Sequence, residues 1–180
     1  MLKIENLRVS YGHIEVLKGI SFSIEMGEIV ALIGGNGAGK TTTLGTISGL
    51  VRPTSGTISW KGEYIQHTAV EAIAGSGLAH CPEGRRVFPG LTVLENLLTG
   101  TASRSFKKKE IDEDLGLVFD RILELNKRTG LGVLLVEQNS AMALEIASRA
   151  FVLETGIITL SGPSAVLADD PRIREAYLGG

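Results

Sequence analysis

Residues Gly34-Gly35-Asn36-Gly37-Ala38-Gly39-Lys40-Thr41 follow the pattern G-x-x-x-x-G-K-[ST]. The chemistry this spacing serves is the gripping of phosphate. Consecutive backbone N–H groups must turn inward onto phosphate oxygens, and a Cβ at the glycine positions would crowd that approach. A helix beginning near Lys40 would aim the positive end of its dipole at the same anion. Lys40 is then expected to meet the β- and γ-phosphates of a nucleoside triphosphate such as ATP, and Thr41 to hold Mg²⁺ through its hydroxyl, with Thr42 completing the set. The bland alternative, a glycine-rich turn with a coincidental lysine, is weaker because the flanking sequence supplies a strand before the loop and a helix after it.

That strand is IVALIG, Ile29 to Gly34, a continuous apolar run bounded by glycines, as expected of a strand buried on both faces at the centre of the fold. After the loop, Leu44, Ile47 and Leu50 recur at helical spacing until Gly49 and Pro53 stop the pattern. Earlier, residues 2–9 and 16–24 alternate as two strands joined at Tyr11-Gly12. TISWKG follows Thr54-Ser55-Gly56 as a further short strand, and Leu78 to Cys81 is a candidate for another. Thr92 with Glu95 forms a capping box for a helix. Ile111, Leu115, Val118, Ile122 and Leu125 step by four and three, which predicts one amphipathic helix ending near Thr129-Gly130, its phase unbroken across Asp120-Arg121. GVLLV, residues 132–136, is a second buried strand, residues 141–148 look helical, FVLETGIITLSG is a hairpin turning at Thr155-Gly156, and helices are expected at 163–168 and 171–178.

Composition removes several function classes. Eighteen Lys+Arg against 20 Asp+Glu leave a net charge of −2, so nothing advertises the basic face that nucleic-acid binding requires. One cysteine, Cys81, staples nothing, and His13, His67 and His80 have no metal-ligand spacing. The N-terminus lacks the apolar stretch of a secretion signal, and no run approaches the roughly 18 residues that span a bilayer, so a cytoplasmic chain without direct membrane insertion is expected. Lys107-Lys108-Lys109 is expected to be a solvated face; Arg85-Arg86 is as well suited to the surface as to a phosphate or a partner. Glycine, at 23 of 180 residues, is nearly twice its ordinary share of about 7%.

Beyond the phosphate loop, Pro82-Glu83-Gly84-Arg85-Arg86-Val87-Phe88-Pro89 with LTVLENL, then VLLVEQN, FVLETGIITLSGP and REAYLGG, resemble the ATP-binding subunits of ABC transporters, in particular the F-type subunit of branched-chain amino acid importers. The resemblance runs through almost the whole chain. It implies an α/β fold, a P-loop NTPase of ABC type with a mostly parallel sheet and an N-terminal antiparallel β portion. It implies ATP and Mg²⁺ as cofactors, and transmembrane permease subunits and a second ATP-binding subunit as partners. The chain would lie at the inner face of the plasma membrane through the permease, docked near Phe88 to Leu98. Tyr11 would stack on adenine, Glu83 would stand at the Q-loop position facing Mg²⁺, and Gln138 at the position of the switch histidine.

The resemblance also has a gap. A signature loop of LSGGQ type, the apolar strand ending in Asp-Glu, and the loop after it are absent. Residues up to about Asp120 resemble the segment leading into the signature, whereas Arg121 to Leu125 resemble the segment just past the missing loop, as though several dozen residues were lost at one joint. The expectation is a single truncated nucleotide-binding domain over residues 1–180, lacking one core strand, with residues 84–118 the remnant of the helical subdomain. The lost strand is expected beside Ile29 to Ile33, leaving an unfilled slot. Glu137 then has two readings: a neighbour of the switch position, or a carboxylate facing the nucleotide if its strand slides into that slot. No catalytic residue is otherwise assigned, and turnover near background is expected. The alternatives are a non-catalytic remnant that binds ATP or the permease, a deletion product without function, and a small P-loop kinase; the last is disfavoured by the lack of an Arg-rich acceptor lid.

Overall fold

A computed structural model describes residues 1–81, 118–136 and 140–178. The elements in order are β1 (Leu2–Tyr11), β2 (Ile14–Ile24), β3 (Ile29–Ile33), α1 (Lys40–Ile47), β4 (Ser55–Trp60), β5 (Glu63–Tyr64), α2 (Val70–Gly75), α3 (Val118–Thr129), β6 (Val133–Val136), α4 (Ser140–Ile146), β7 (Arg149–Glu154), β8 (Ile157–Pro163), α5 (Ser164–Ala168) and α6 (Pro171–Ile173), the last continuing as a π-helical turn over Arg174–Leu178. The helix expected from Thr92, the basic run 107–109 and the docking stretch 88–98 lie outside the described residues.

Among the described residues, two four-stranded sheets carry the fold. One is antiparallel, in the order β2-β1-β4-β5; the other runs β6-β3-β7-β8, with β3 parallel to β6 and β7, and β8 antiparallel to β7. The unbroken apolar run of β3 is explained by its place between two cores. Val30 and Leu32 pack with Ile4, Leu7, Leu17, Ile20 and Ile58 of the antiparallel sheet and with Phe151 and Leu153. Ile29, Ala31 and Ile33 face the other way, onto Ala143 and Leu144 of α4, Leu167 of α5, and Ile173. Burying each of the larger of these side chains, the valines, leucines, isoleucines and Phe151, stabilises the fold by about 1.5–3 kcal/mol.

The unfilled slot expected beside β3 is not there. β6 pairs one edge of β3, with Ile29 level with Val133 and Leu32 with Val136, and β7 pairs the other. β6 is the edge strand of this sheet among the described residues. Burial agrees: all five residues of β3 are buried, whereas Val133, Leu134 and Val136 of β6 are only half-buried, as in a strand at an edge.

The suspected joint at Asp120-Arg121 falls within α3, which runs through it without a break. Asn126 pins the end of α3: its Nδ2 donates to the carbonyl oxygens of Gly27 and Leu131, both at 2.8 Å. The candidate strand at Leu78 to Cys81 forms no ladder. Instead His80 Nδ1 lies 3.0 Å from Ser48 Oγ, just beyond α1. Leu50 is also misjudged by its spacing. It is 64% exposed and lies outside α1, which ends at Ile47 and buries Lys40, Thr43, Gly45, Thr46 and Ile47.

Candidate functional site

The glycine loop leaves β3 at Gly34 and enters α1 at Lys40, the strand-loop-helix order that the sequence predicts. Its glycines are needed for two different reasons. At Gly34 a Cβ would run into the carbonyl oxygen of Leu153 on β7, and at Gly39, where φ is +108°, a Cβ would come within 2.7 Å of Leu17 Cδ2 on β2. The loop is thus wedged between two strands at its ends. Between them Gly35, Asn36 and Gly37 are exposed, and nothing lies within 4 Å of where a Cβ would stand at Gly35 or Gly37. Ala38 is buried and its N–H donates to the Gly35 carbonyl at 3.3 Å, which closes the loop on itself.

Lys40 is 7% exposed. A buried ammonium needs acceptors, and its Nζ donates to the carbonyl oxygens of Gly34 at 2.7 Å and Gly35 at 3.0 Å. The charge therefore sits inside the curl of the loop. α1 begins at the same residue, with Gly39 as its N-cap, no side-chain cap and no acidic residue in its first turn. The leading N–H groups of a helix have no intrahelical acceptor, so this uncapped, positively polarised end suits an anion. Thr43 and Thr46 anchor the helix from within, their hydroxyls donating to the carbonyls of Gly39 at 2.9 Å and Thr42 at 2.7 Å. Thr41 is exposed and Thr42 half-buried.

This arrangement fits a phosphate chain: a lysine charge, a helix end and a backbone cradle converge. It fits Mg²⁺ only as part of that complex. Among the described residues no group of three or more His, Cys, Asp or Glu is gathered as a metal site, and Thr41 offers one hydroxyl, so phosphates and water would have to supply most of an octahedral shell. Tyr11 lies at the tip of the β1–β2 hairpin, paired with Ile14 and 51% exposed. Further along β2, the carbonyl of Val16 would stand 3.5 Å from a Cβ at Gly39, which puts the loop and the strand that leads from Tyr11 side by side. Glu83, Glu137 and Gln138 lie outside the described residues, as do Arg85 and Arg86. β6 ends at Val136, level with Leu32, two residues before the loop begins.

Sequence reasoning missed the residues that brace the loop from outside: Val16 and Leu17 on β2, Leu153 on β7, and Gly156, whose N–H donates to the Ala38 carbonyl at 2.9 Å. The Thr155-Gly156 turn was legible in the sequence; the partner it reaches more than a hundred residues away was not.

A cradle of this kind, seated between a doubly buried parallel strand and a helix, defines a P-loop nucleotide-binding domain of the α/β class. A family model described as ABC transporter matches residues 17–150. The chain belongs to that family, as its ATP-binding domain. The high-affinity branched-chain amino acid transport ATP-binding protein BraG of Pseudomonas aeruginosa is 35% identical over 234 aligned positions, covering 100% of both chains. A putative ribose/galactose/methyl galactoside import ATP-binding protein of Rhizobium meliloti is 30% identical over 187 positions, covering all of this chain and 37% of its own length. A solved structure of an ATP binding subunit of an ABC transporter superposes with a TM-score of 0.80 at 24% identity, covering 99% of this chain and 96% of that one.

Proposed function

We propose that this chain is the ATP-binding subunit of an importer for branched-chain amino acids, shortened so that it grips Mg-ATP but turns it over near background. The observation that carries the nucleotide reading is Lys40, a buried ammonium held by Gly34 and Gly35 at the head of an uncapped helix. Residues Gly34 to Thr42 hold the phosphates, Thr41 meets Mg²⁺ with Glu83 as its candidate second contact, and Tyr11 stacks on adenine. The substrate class is supported by BraG and by the motifs around Pro82 to Pro89 and Val133 to Asn139. Such a subunit works against transmembrane permease subunits and a second ATP-binding subunit at the cytoplasmic face of the membrane. No helix among the described residues is long and apolar enough to cross that membrane.

The shortened state is supported by the alignment with BraG, whose 234 positions against 180 residues leave about 54 positions facing no residue of this chain. Losing a general base costs on the order of 10²- to 10⁴-fold in proton transfer. β6 lies beside β3, the strand order on which the nucleotide-facing reading of Glu137 depends, and turnover tests that reading. Calorimetric titration of the purified chain with Mg-ATP should release heat that Lys40→Ala abolishes; no heat from the wild type would overturn the reading. ATP hydrolysis well above background, cut strongly by Lys40→Ala, would overturn the deficiency, and its further loss in Glu137→Gln would make that carboxylate the base.

A further inference from the structure

Two turns of the same shape stand in very different surroundings. Thr155 (φ 48°) and Gly156 (φ 83°) join β7 to β8, and Lys61 (φ 53°) and Gly62 (φ 90°) join β4 to β5. Each is a two-residue hairpin turn with both central residues in the left-handed region, where the second glycine relieves the backbone. Nothing lies within 4 Å of where a Cβ would stand at Gly62. At Gly156 a Cβ would overlap the Val16 carbonyl oxygen and stand 3.3 Å from Leu17 Cα.

That crowding exists because both backbone groups of Gly156 are used outside its own hairpin. Its N–H donates to the Ala38 carbonyl at 2.9 Å, and its carbonyl accepts from the Lys18 N–H at 2.9 Å. One residue therefore ties the phosphate loop to β2. The peptide between Ala38 and Gly39 is planar and trans, so its carbonyl and N–H point in opposite directions. With the Ala38 carbonyl fixed on Gly156, the Gly39 N–H is fixed pointing away from the turn. The other end of the loop rests on β7, the strand that leads into this turn, where Gly34 abuts the Leu153 carbonyl.

We propose that Gly156 is a positioning residue for the phosphate loop: its N–H orients the Ala38–Gly39 peptide so that the Gly39 N–H is preset for a nucleotide phosphate. The inference rests on the reading of the loop as a nucleotide site and adds a residue that touches no nucleotide itself. A methyl group at 156 must push β2 or the loop aside, and displacement of a preorganised donor by about 1 Å is the scale at which binding and catalytic geometry fail.

The test compares Gly156→Ala with Gly62→Ala, since both put alanine into a left-handed turn and only the first crowds the loop and β2. Mg-ADP is titrated into each full-length variant at a temperature where thermal melts show both folded. Gly62→Ala should bind as the wild type does, and Gly156→Ala should bind about tenfold or more weakly. Equal affinity of the two variants, with wild-type binding intact, overturns the positioning role and leaves the nucleotide reading standing. No binding by the wild type removes both. Should Gly156→Ala fail to fold, amide hydrogen exchange on the wild type decides: added Mg-ADP should slow exchange over residues 154–158 by more than over 60–64, and equal slowing at the two turns, or none at 154–158, overturns the proposal.

Discussion

A lysine as deeply buried as Lys40 carries a desolvation penalty that its two carbonyl contacts oppose. Removing the charge together with its need for acceptors is then mild for the fold and severe for the ligand. Lys40→Met should change unfolding stability by about 1 kcal/mol or less while abolishing Mg-ATP binding, which denaturant melts and calorimetry on the same sample would separate. Glu28 shows the opposite case of a charge that steadies the fold. Its carboxylate accepts from Arg149 Nε and, at 3.1 Å, from Arg149 Nη2, and it also accepts from the Glu25 N–H at 2.9 Å. The Arg149 hydrogen bonds, and after them the Glu25 amide, hold the carboxyl below its ordinary value of 4.5 against the opposing pull of burial. A carboxyl depressed in the folded state contributes stability that is complete above 4.5 and is lost as pH falls through the lower folded value. Melting temperature should therefore drop more steeply below pH 4.5 in the wild type than in Glu28→Gln; parallel curves would remove this pair from the acid response.

The elements differ in how plainly their residues announce them. β3 was legible because burial on both faces removes the alternation of an ordinary strand, and the structure shows the reason in its two cores. Leu32→Ala and Ile33→Ala open cavities in different cores yet should each cost about 2–5 kcal/mol, measurable in urea. α1 was found through the loop before it, and its apolar spacing marked Ile47 correctly but ran on to the exposed Leu50 and passed over most of the buried positions. Its buried positions include two threonines and a glycine, whose hydroxyls are satisfied by back-bonding and whose missing side chain admits Val51 at 3.2 Å from a would-be Cβ. β5 has only two residues and α2 starts from Ala69, which offers no side-chain cap, so neither carries a local signal of its own. α3 ends where Asn126 bridges Gly27 and Leu131. Asn126→Ala should destabilise by about 1–2 kcal/mol, and a loss well below that would mean water replaces the bridge without penalty.

At the scale of the molecule, the sequence pattern carried the family and the strand-loop-helix centre but wrongly left one edge of β3 open, because which strands neighbour β3 depends on pairings between residues about a hundred positions apart. With β6 and β7 on its two edges, β3 belongs to both cores through alternate residues, so neither core opens without disturbing the other. The chain should accordingly unfold in a single transition, with calorimetric and van't Hoff enthalpies in agreement. The phosphate loop is wired into that same unit through Leu17 on β2 and Leu153 and Gly156 beyond it, so a ligand held by the loop stabilises the whole and not a local segment. At a nucleotide concentration about 100 times its Kd, linkage gives about 2.7 kcal/mol of added stability. For a chain of this size each kcal/mol raises the melting temperature by about 2–4 °C, so Mg-ATP should move the transition up by about 5–11 °C without splitting it. Lys40→Met should melt as one transition at a temperature that Mg-ATP leaves unmoved. Two wild-type transitions, with only the lower one responding to nucleotide, would show instead that the loop and its braces unfold apart from the rest of β3's surroundings.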